Sequence, residues 1–192
     1  MQNDKFKSYL NLHLIVFIWG FTAVLGALIT ITADAIVWYR MLLAAVFLSA
    51  FIVFKKKSFR IPVRSFFKLI FVGLLIALHW VFFFHAIHVS NVSITLSIFL
   101  LGAFFSSLLE PIFYGRKVLW YEVLFGLIII AGLGLIMKVE TGYLEGMLYA
   151  LISIILGVLF TLANGKLIEK HDSSVISFYE FIAGVFFISI YY

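Results

Sequence analysis

Residues 69–89 read LIFVGLLIALHWVFFFHAIHV, without a single Asp, Glu, Lys or Arg. An α-helix needs about 20 apolar residues to cross the hydrocarbon core of a bilayer, and this run has that length. Six further stretches have the same character: Tyr9–Ile31 and Ala35–Phe54 before it, and Val92–Tyr114, Val118–Met137, Tyr143–Gly165 and Val175–Tyr192 after it. Each is continuous, whereas a β-barrel shows alternating segments of about 10 residues. With no water to satisfy backbone groups, continuous apolar runs must be helices. The sequence therefore predicts an all-α, polytopic membrane bundle of seven spans with short connections.

Composition agrees. The chain is 65% hydrophobic and 12% charged, against about 25% charged residues in a soluble domain. A water-soluble fold could not hide that much apolar surface. There is no cysteine, which excludes disulfides and Cys-based metal or redox sites.

The net charge of +5 is a topology signal. With the N-terminus in the cytoplasm, the inside segments hold Lys5 and Lys7; Lys55, Lys56, Lys57, Arg60, Arg64 and Lys68; Arg116 and Lys117; and Lys166 and Lys170. That is 12 of the 14 basic residues. Arg40 lies within a span, and Lys138 falls outside with Asp34, Glu140 and Glu145. Such a bias predicts a multi-pass protein of the cell (inner) membrane with a cytoplasmic N-terminus. The basic excess suits anionic lipid, and no nucleic-acid role is expected.

An internal similarity adds direction. Phe21-Thr22 is followed by Trp38-Tyr39-Arg40-Met41-Leu42-Leu43-Ala44, and Phe160-Thr161 by Phe178-Tyr179-Glu180-Phe181-Ile182-Ala183. The separation covers five spans, an odd number, so the two units run in opposite directions through the membrane. Inverted repeats of this kind give secondary transporters two near-equivalent states open to opposite sides.

Trp19-Gly20, the stretch Tyr39 to Ala44, and the stretch from Leu108 through Pro111, Gly115, Trp120, Gly126 and Gly132 resemble the EamA-type drug/metabolite transporters across residues 10–192. The resemblance implies ten spans built as five plus five, with both ends cytoplasmic. It also implies export of amino acids, metabolites or toxic compounds. Residues 1–138 would then be the first repeat of five helices. Residues 139–192 would be the start of the second, with three spans missing and the chain a fragment. One position departs from the pattern. The family often carries Gly-Glu after the fourth span, whereas this chain has Gly115-Arg116 with Glu110 earlier, so no role of that Glu carries over.

Ionisable groups within a bilayer are costly and mark functional sites. Arg40 lies roughly 8 Å below the outer surface at about 1.5 Å per residue. It could bind an anionic substrate group, pair with a carboxylate, or snorkel. Glu180, its counterpart in the repeat, lies at a similar depth from the inner side. It could relay protons, bind an amine, or cap cytoplasmic lysines. Glu110 stands beside Pro111, where the missing backbone donor predicts a kink, and could gate a pathway or meet Arg116 or Lys117. Glu122 reads as interfacial. His79, with Trp80 beside it, sits near mid-span, as a hydrogen-bonding group or a packing residue.

His79 lies about 120° and 180° from His85 and His88 at 100° per residue, so no metal site is expected. On the fourth span Asn91, Thr95, Gly102, Ser106 and Glu110 form a small and polar stripe, either packing or lining a substrate pathway. Gly157, Thr161 and Gly165, like Thr22 and Gly26, read as packing. Phe51, Phe54, Phe66, Phe67 and Trp120 suit an interfacial belt; Phe82, Phe83 and Phe84 lie deeper, where they could line an apolar cavity but are expected rather to face lipid.

These features favour a secondary transporter using no cofactor. No nucleotide-binding loop is present, so a gradient must supply the energy. A lipid-modifying enzyme would need clustered acids or histidines at one interface. A non-transporting assembly subunit would need loops or tails for partners; neither feature is found. The partners expected are membrane lipid and a small-molecule substrate, with a homodimer left open.

Overall fold

The computed structural model describes residues 2–191, with side chains from residue 5 onward except those of residues 137 and 139. The Tyr192 end of the last expected span lies outside the described residues. Eight helices follow one another: α1 (Gln2–Leu28), α2 (Ala33–Phe54), α3 (Val63–Val89), α4 (Val92–Phe99), α5 (Leu101–Tyr114), α6 (Trp120–Val139), α7 (Leu144–Ile168) and α8 (Ser173–Tyr191), with a single 3-10 turn at Thr141–Tyr143. Each apolar run is helical over most of its length, α1 stopping at Leu28 and α6 starting at Trp120, and α4 with α5 makes the fourth. Among the described residues six helical segments have the length and apolarity to cross a membrane; the apolar part of α6, Trp120–Ile136, is shorter.

The boundaries differ from the sequence reading in ways that matter. α3 begins six residues before Leu69, its first turn closed by the Ser65 and Phe66 N–H groups on the Pro62 carbonyl at 2.8 and 3.0 Å. Arg64 and Lys68 are therefore helical and not part of a loop. Hydropathy marks where hydrocarbon ends, but a helix keeps its internal hydrogen bonds into the headgroup layer. α7 likewise carries Lys166 to Ile168 as helix. The fourth span is interrupted at Leu100 and not at Pro111, which is buried inside α5. At Leu100 the bonds tighten to three-residue spacing, Leu100 N–H to the Ser97 carbonyl at 3.2 Å and Ala103 N–H to the Leu100 carbonyl at 3.4 Å.

α3 lies at the centre, packed chiefly on α7 and α8, with α2 against α8, α6 against α5, and α1 along α3 and α4. Lipid is as apolar as leucine, so helices associate through close packing at small residues, and these contacts follow that rule. A Cβ at Gly73 would lie 2.5 Å from the Glu180 carbonyl oxygen, and one at Gly157 2.8 Å from the His79 ring. Gly184 receives Met41, Gly126 receives Phe104, Gly26 receives Phe84, and Gly165 receives Tyr114. The packing reading of Gly26, Gly157 and Gly165 thus matches their surroundings.

The structure corrects the reading of the phenylalanine triplet. Phe83 and Phe84 are buried in the cluster with Ile36, Val37, Met41 and Ile87, and Phe82 stacks on Tyr149 at 5.9 Å. An apolar run is silent about which of its faces meets protein, and α3 is enclosed on most sides.

The connections before α3 and before α8 meet at one end of the bundle. Lys57 Nζ lies 2.7 Å from Asp172 Oδ2, and Tyr179 Oη donates to the Phe59 carbonyl at 2.9 Å. A hydrogen bond of 2.9 Å joins the Ser65 hydroxyl and His171 Nε2. Tyr114 Oη, donating to the Leu162 carbonyl at 2.9 Å, holds the end of α5 against α7. On the other side Trp38 Nε1 donates to Ser189 Oγ at 2.8 Å, joining α2 to α8.

Candidate substrate-pathway site

Arg40, His79 and Trp80 come together. The Arg40 guanidinium lies over the Trp80 ring, 4.2 Å from its centroid, and 5.2 Å from that of Phe84. Arg40 is exposed on the helix surface, and stacking on ring faces gives its cation a favourable partner. It also joins α2 to α3. Trp80 meets the His79 ring edge-on at 5.0 Å.

His79 is 8% exposed and ties α3 to α7. Its Nδ1 lies 2.8 Å from the Ser153 carbonyl oxygen, and a carbonyl can only accept, so Nδ1 carries the hydrogen. The Ser153 hydroxyl donates to the His79 carbonyl at 2.7 Å. The ring is thus buried and hydrogen-bonded where α3 meets α7 at Gly157.

The fourth-span stripe does not join that cluster as a unit. Thr95 is fully buried, and its hydroxyl donates to the Asn91 carbonyl in its own helix at 2.9 Å. Asn91 caps α4 by accepting from the Ile94 N–H at 2.9 Å. Gly102 packs on Ile154 and Val158. Ser106 is half-buried. Ser107 is buried and bonds the Phe104 carbonyl at 2.7 Å. The break at Leu100 interrupts the angular register that drew the stripe as one face.

Glu110 sits at the helix end. Arg116 Nη2 lies 2.8 Å from Glu110 and 3.0 Å from Glu122. Two charge-assisted hydrogen bonds, Glu110's the stronger influence, hold the Arg116 guanidinium above its ordinary pKa. The reversal from Gly-Glu to Gly115-Arg116 thus places a cation between two acids of neighbouring helices. Gly115 makes the turn possible, with φ of 68°, a left-handed conformation that favours glycine.

Glu180 occupies a different setting. It is 1% exposed in the middle of the α3–α7–α8 contact. Its Oε2 accepts from Asn164 Nδ2 at 3.3 Å, while its Oε1 and Asn164 Oδ1 are buried without a hydrogen-bond partner. Among the described residues no ion pair joins it to Arg40 or to a lysine. Asn164 and Ser153 were missed in the sequence. An amide and a hydroxyl inside apolar spans were the available signals, diluted there by neighbouring alanines and glycines.

The match to known proteins is of the same kind as the architecture. The family model described as EamA-like transporter family covers residues 6–138, more than half of the chain. No curated protein matches the chain, and no solved structure does. The chain belongs to the EamA-like transporter family and is a multi-pass membrane transporter.

Proposed function

We propose that this protein is a secondary transporter, exporting small metabolites, amino acids or drugs by alternating access, with Glu180 as its proton-carrying group. Residues 1–138 serve as one five-helix repeat and residues 139–192 as the opening of an inverted second, in the inner membrane with a cytoplasmic N-terminus. The basic end formed by the connections at Lys57 and Lys166–Lys170 supports that orientation.

One observation carries the coupling: a carboxyl buried among packed helices, with one oxygen unpartnered beside an amide whose own oxygen is unpartnered. Both leftover atoms are acceptors. A proton on Glu180 turns one of them into a donor, so acid and amide can satisfy each other. Loss of that proton leaves a carboxylate facing a single amide donor, and a buried lone charge is strongly disfavoured. Proton loading therefore favours the α7–α8 contact seen here, and release favours its opening toward water.

The test uses proteoliposomes of the protein loaded with a mixture of radiolabelled amino acids. An imposed proton gradient should accelerate efflux, and Glu180→Gln should abolish the acceleration while residual gradient-independent flux persists. Flux equally gradient-sensitive in Glu180→Gln would sink the assignment of Glu180. Flux insensitive to the gradient in the unaltered protein would sink proton coupling altogether.

A further inference from the structure

The cavity between α3, α5 and α7 has no part in this transport reading; its main walls are one face of α3 and the end of α7, closed by α5. It encloses about 730 Å³. α3 contributes Arg64, Phe67, Lys68 and Phe71, spaced i, i+3, i+4 and i+7, and so on one side of the helix. Lys166, Leu167 and Lys170 enter from α7 and the residues after it, with His171 beyond, and Phe113 closes the wall from α5.

Four lysines and arginines line the space with no acidic residue among them, and no ion pair to any of the four occurs among the described residues. The first turn of α3 holds Arg64 and no acid. Its cation thus adds to the partial positive charge of a helix N-terminus, the reverse of the stabilising arrangement. Of the acids nearby, Asp172 pairs with Lys57, and Glu110 and Glu122 pair with Arg116, while Glu169, between Lys166 and Lys170 in the chain, lies outside the lining. Within the lining itself the cluster is a concentrated positive field without an acidic side chain.

We propose that this cavity binds the phosphate of an anionic phospholipid. The aromatic wall decides between a lipid and a soluble anion. Phe67 and Phe71 are 67% and 60% exposed and run one helical turn apart from the cation level toward the bilayer. The Lys166 ammonium lies 5.7 Å from the ring centroids of Phe113 and Tyr114, a cation at the rim of an apolar groove. A phosphodiester among the cations leaves its acyl chains along Phe67 and Phe71. A free phosphate would leave that apolar track empty. Binding there clamps α3 to α7, the two elements that hold His79.

The experiment is a titration of the purified protein with phosphatidylglycerol, followed by native mass spectrometry and thermal unfolding. Phosphatidylcholine and glycerol 3-phosphate serve as the neutral-lipid and soluble-anion arms. Phosphatidylglycerol should bind and raise the melting temperature; the other two should not. Lys166→Gln with Lys170→Gln should weaken phosphatidylglycerol binding about 30-fold, from the usual contribution of each basic residue near an anionic surface. Arg64→Gln with Lys68→Gln, on the opposite wall, should do the same, so one unstable variant does not end the test. Lys166→Arg with Lys170→Arg should retain binding.

Three results would overturn the proposal. These are binding by either Gln pair as tight as that of the unaltered protein, stabilisation by glycerol 3-phosphate equal to that by the lipid, and an equal loss of binding in Lys138→Gln at the far end. None of these readouts involves transport, so failure here leaves the role of Glu180 standing, and the reverse.

Discussion

Glu180 and Glu110 are both carboxyls in apolar helices, and their surroundings make them different groups. Glu110 ends a helix beside Arg116, shares that cation with Glu122, and is partly exposed. Its charge is matched by a guanidinium within hydrogen-bond distance. Glu180 is enclosed by three helices with an amide as its only hydrogen-bonding partner among the described residues. The first fastens two helix ends, and the second is a buried acid whose ionisation has nothing to match it. Residue type within a span therefore identifies candidates, and the neighbours brought by other helices assign the work.

The sharpest way to break this contrast is through the packing that encloses Glu180. Gly73→Leu should abolish a folded, monodisperse protein, because the obstruction is the Glu180 backbone and not a movable side chain. Overpacking alone costs about 1–3 kcal/mol, and backbone displacement adds to it. Size-exclusion profiles and melting curves check this, and a well-folded variant would mean that the α3 and α8 backbones do not touch at Gly73.

Next, Glu180→Gln should keep the fold, since an amide can face Asn164, while Glu110→Gln should leave gradient-driven flux intact. Equal loss in both variants would erase the distinction. Ser153→Ala should destabilise by roughly 1 kcal/mol, the scale of one interhelical hydrogen bond in a membrane, read as a lowered melting temperature. A loss of gradient response in that variant would move His79 from packing into transport.

The smallest effect concerns the end of the bundle. Lys57 holds the Asp172 carboxyl below its usual range, mainly through their hydrogen bond. A carboxyl lowered in the folded state contributes stability that is fully present above its unfolded value of about 4. That contribution is lost as pH falls through the folded value. Asp172→Asn should therefore lower the melting temperature slightly at neutral pH and flatten the acid limb of its pH profile, so that the two proteins converge at low pH.

The helices were legible in the sequence because hydrocarbon imposes length and apolarity on every span at once. Their order and the family followed from the same runs and from Trp19-Gly20 and the Tyr39–Ala44 stretch. What stayed hidden was contact. Nothing local in 82–84 says that Phe83 and Phe84 face inward, because inward and outward surfaces are equally apolar here. The partner of Glu180 lies 16 residues away on another helix; the meeting of Glu110 with Arg116 was legible from their spacing, but Glu122 as the second acid on that cation was not. Arg64 and Lys68 looked like loop residues because charge was taken as the end of the helix, when it marks only the end of the hydrocarbon.

Gly73 has a bearing on how variation in this family is interpreted. The Glu180 carbonyl fills the place where its first side-chain atom would go, so even alanine forces the two backbones apart. Drift at this position is barred by shape alone. In a set of homologous sequences it would look as unchanging as a group that handles cargo, and only a flux measurement, never a tally of identities, could tell the two causes apart.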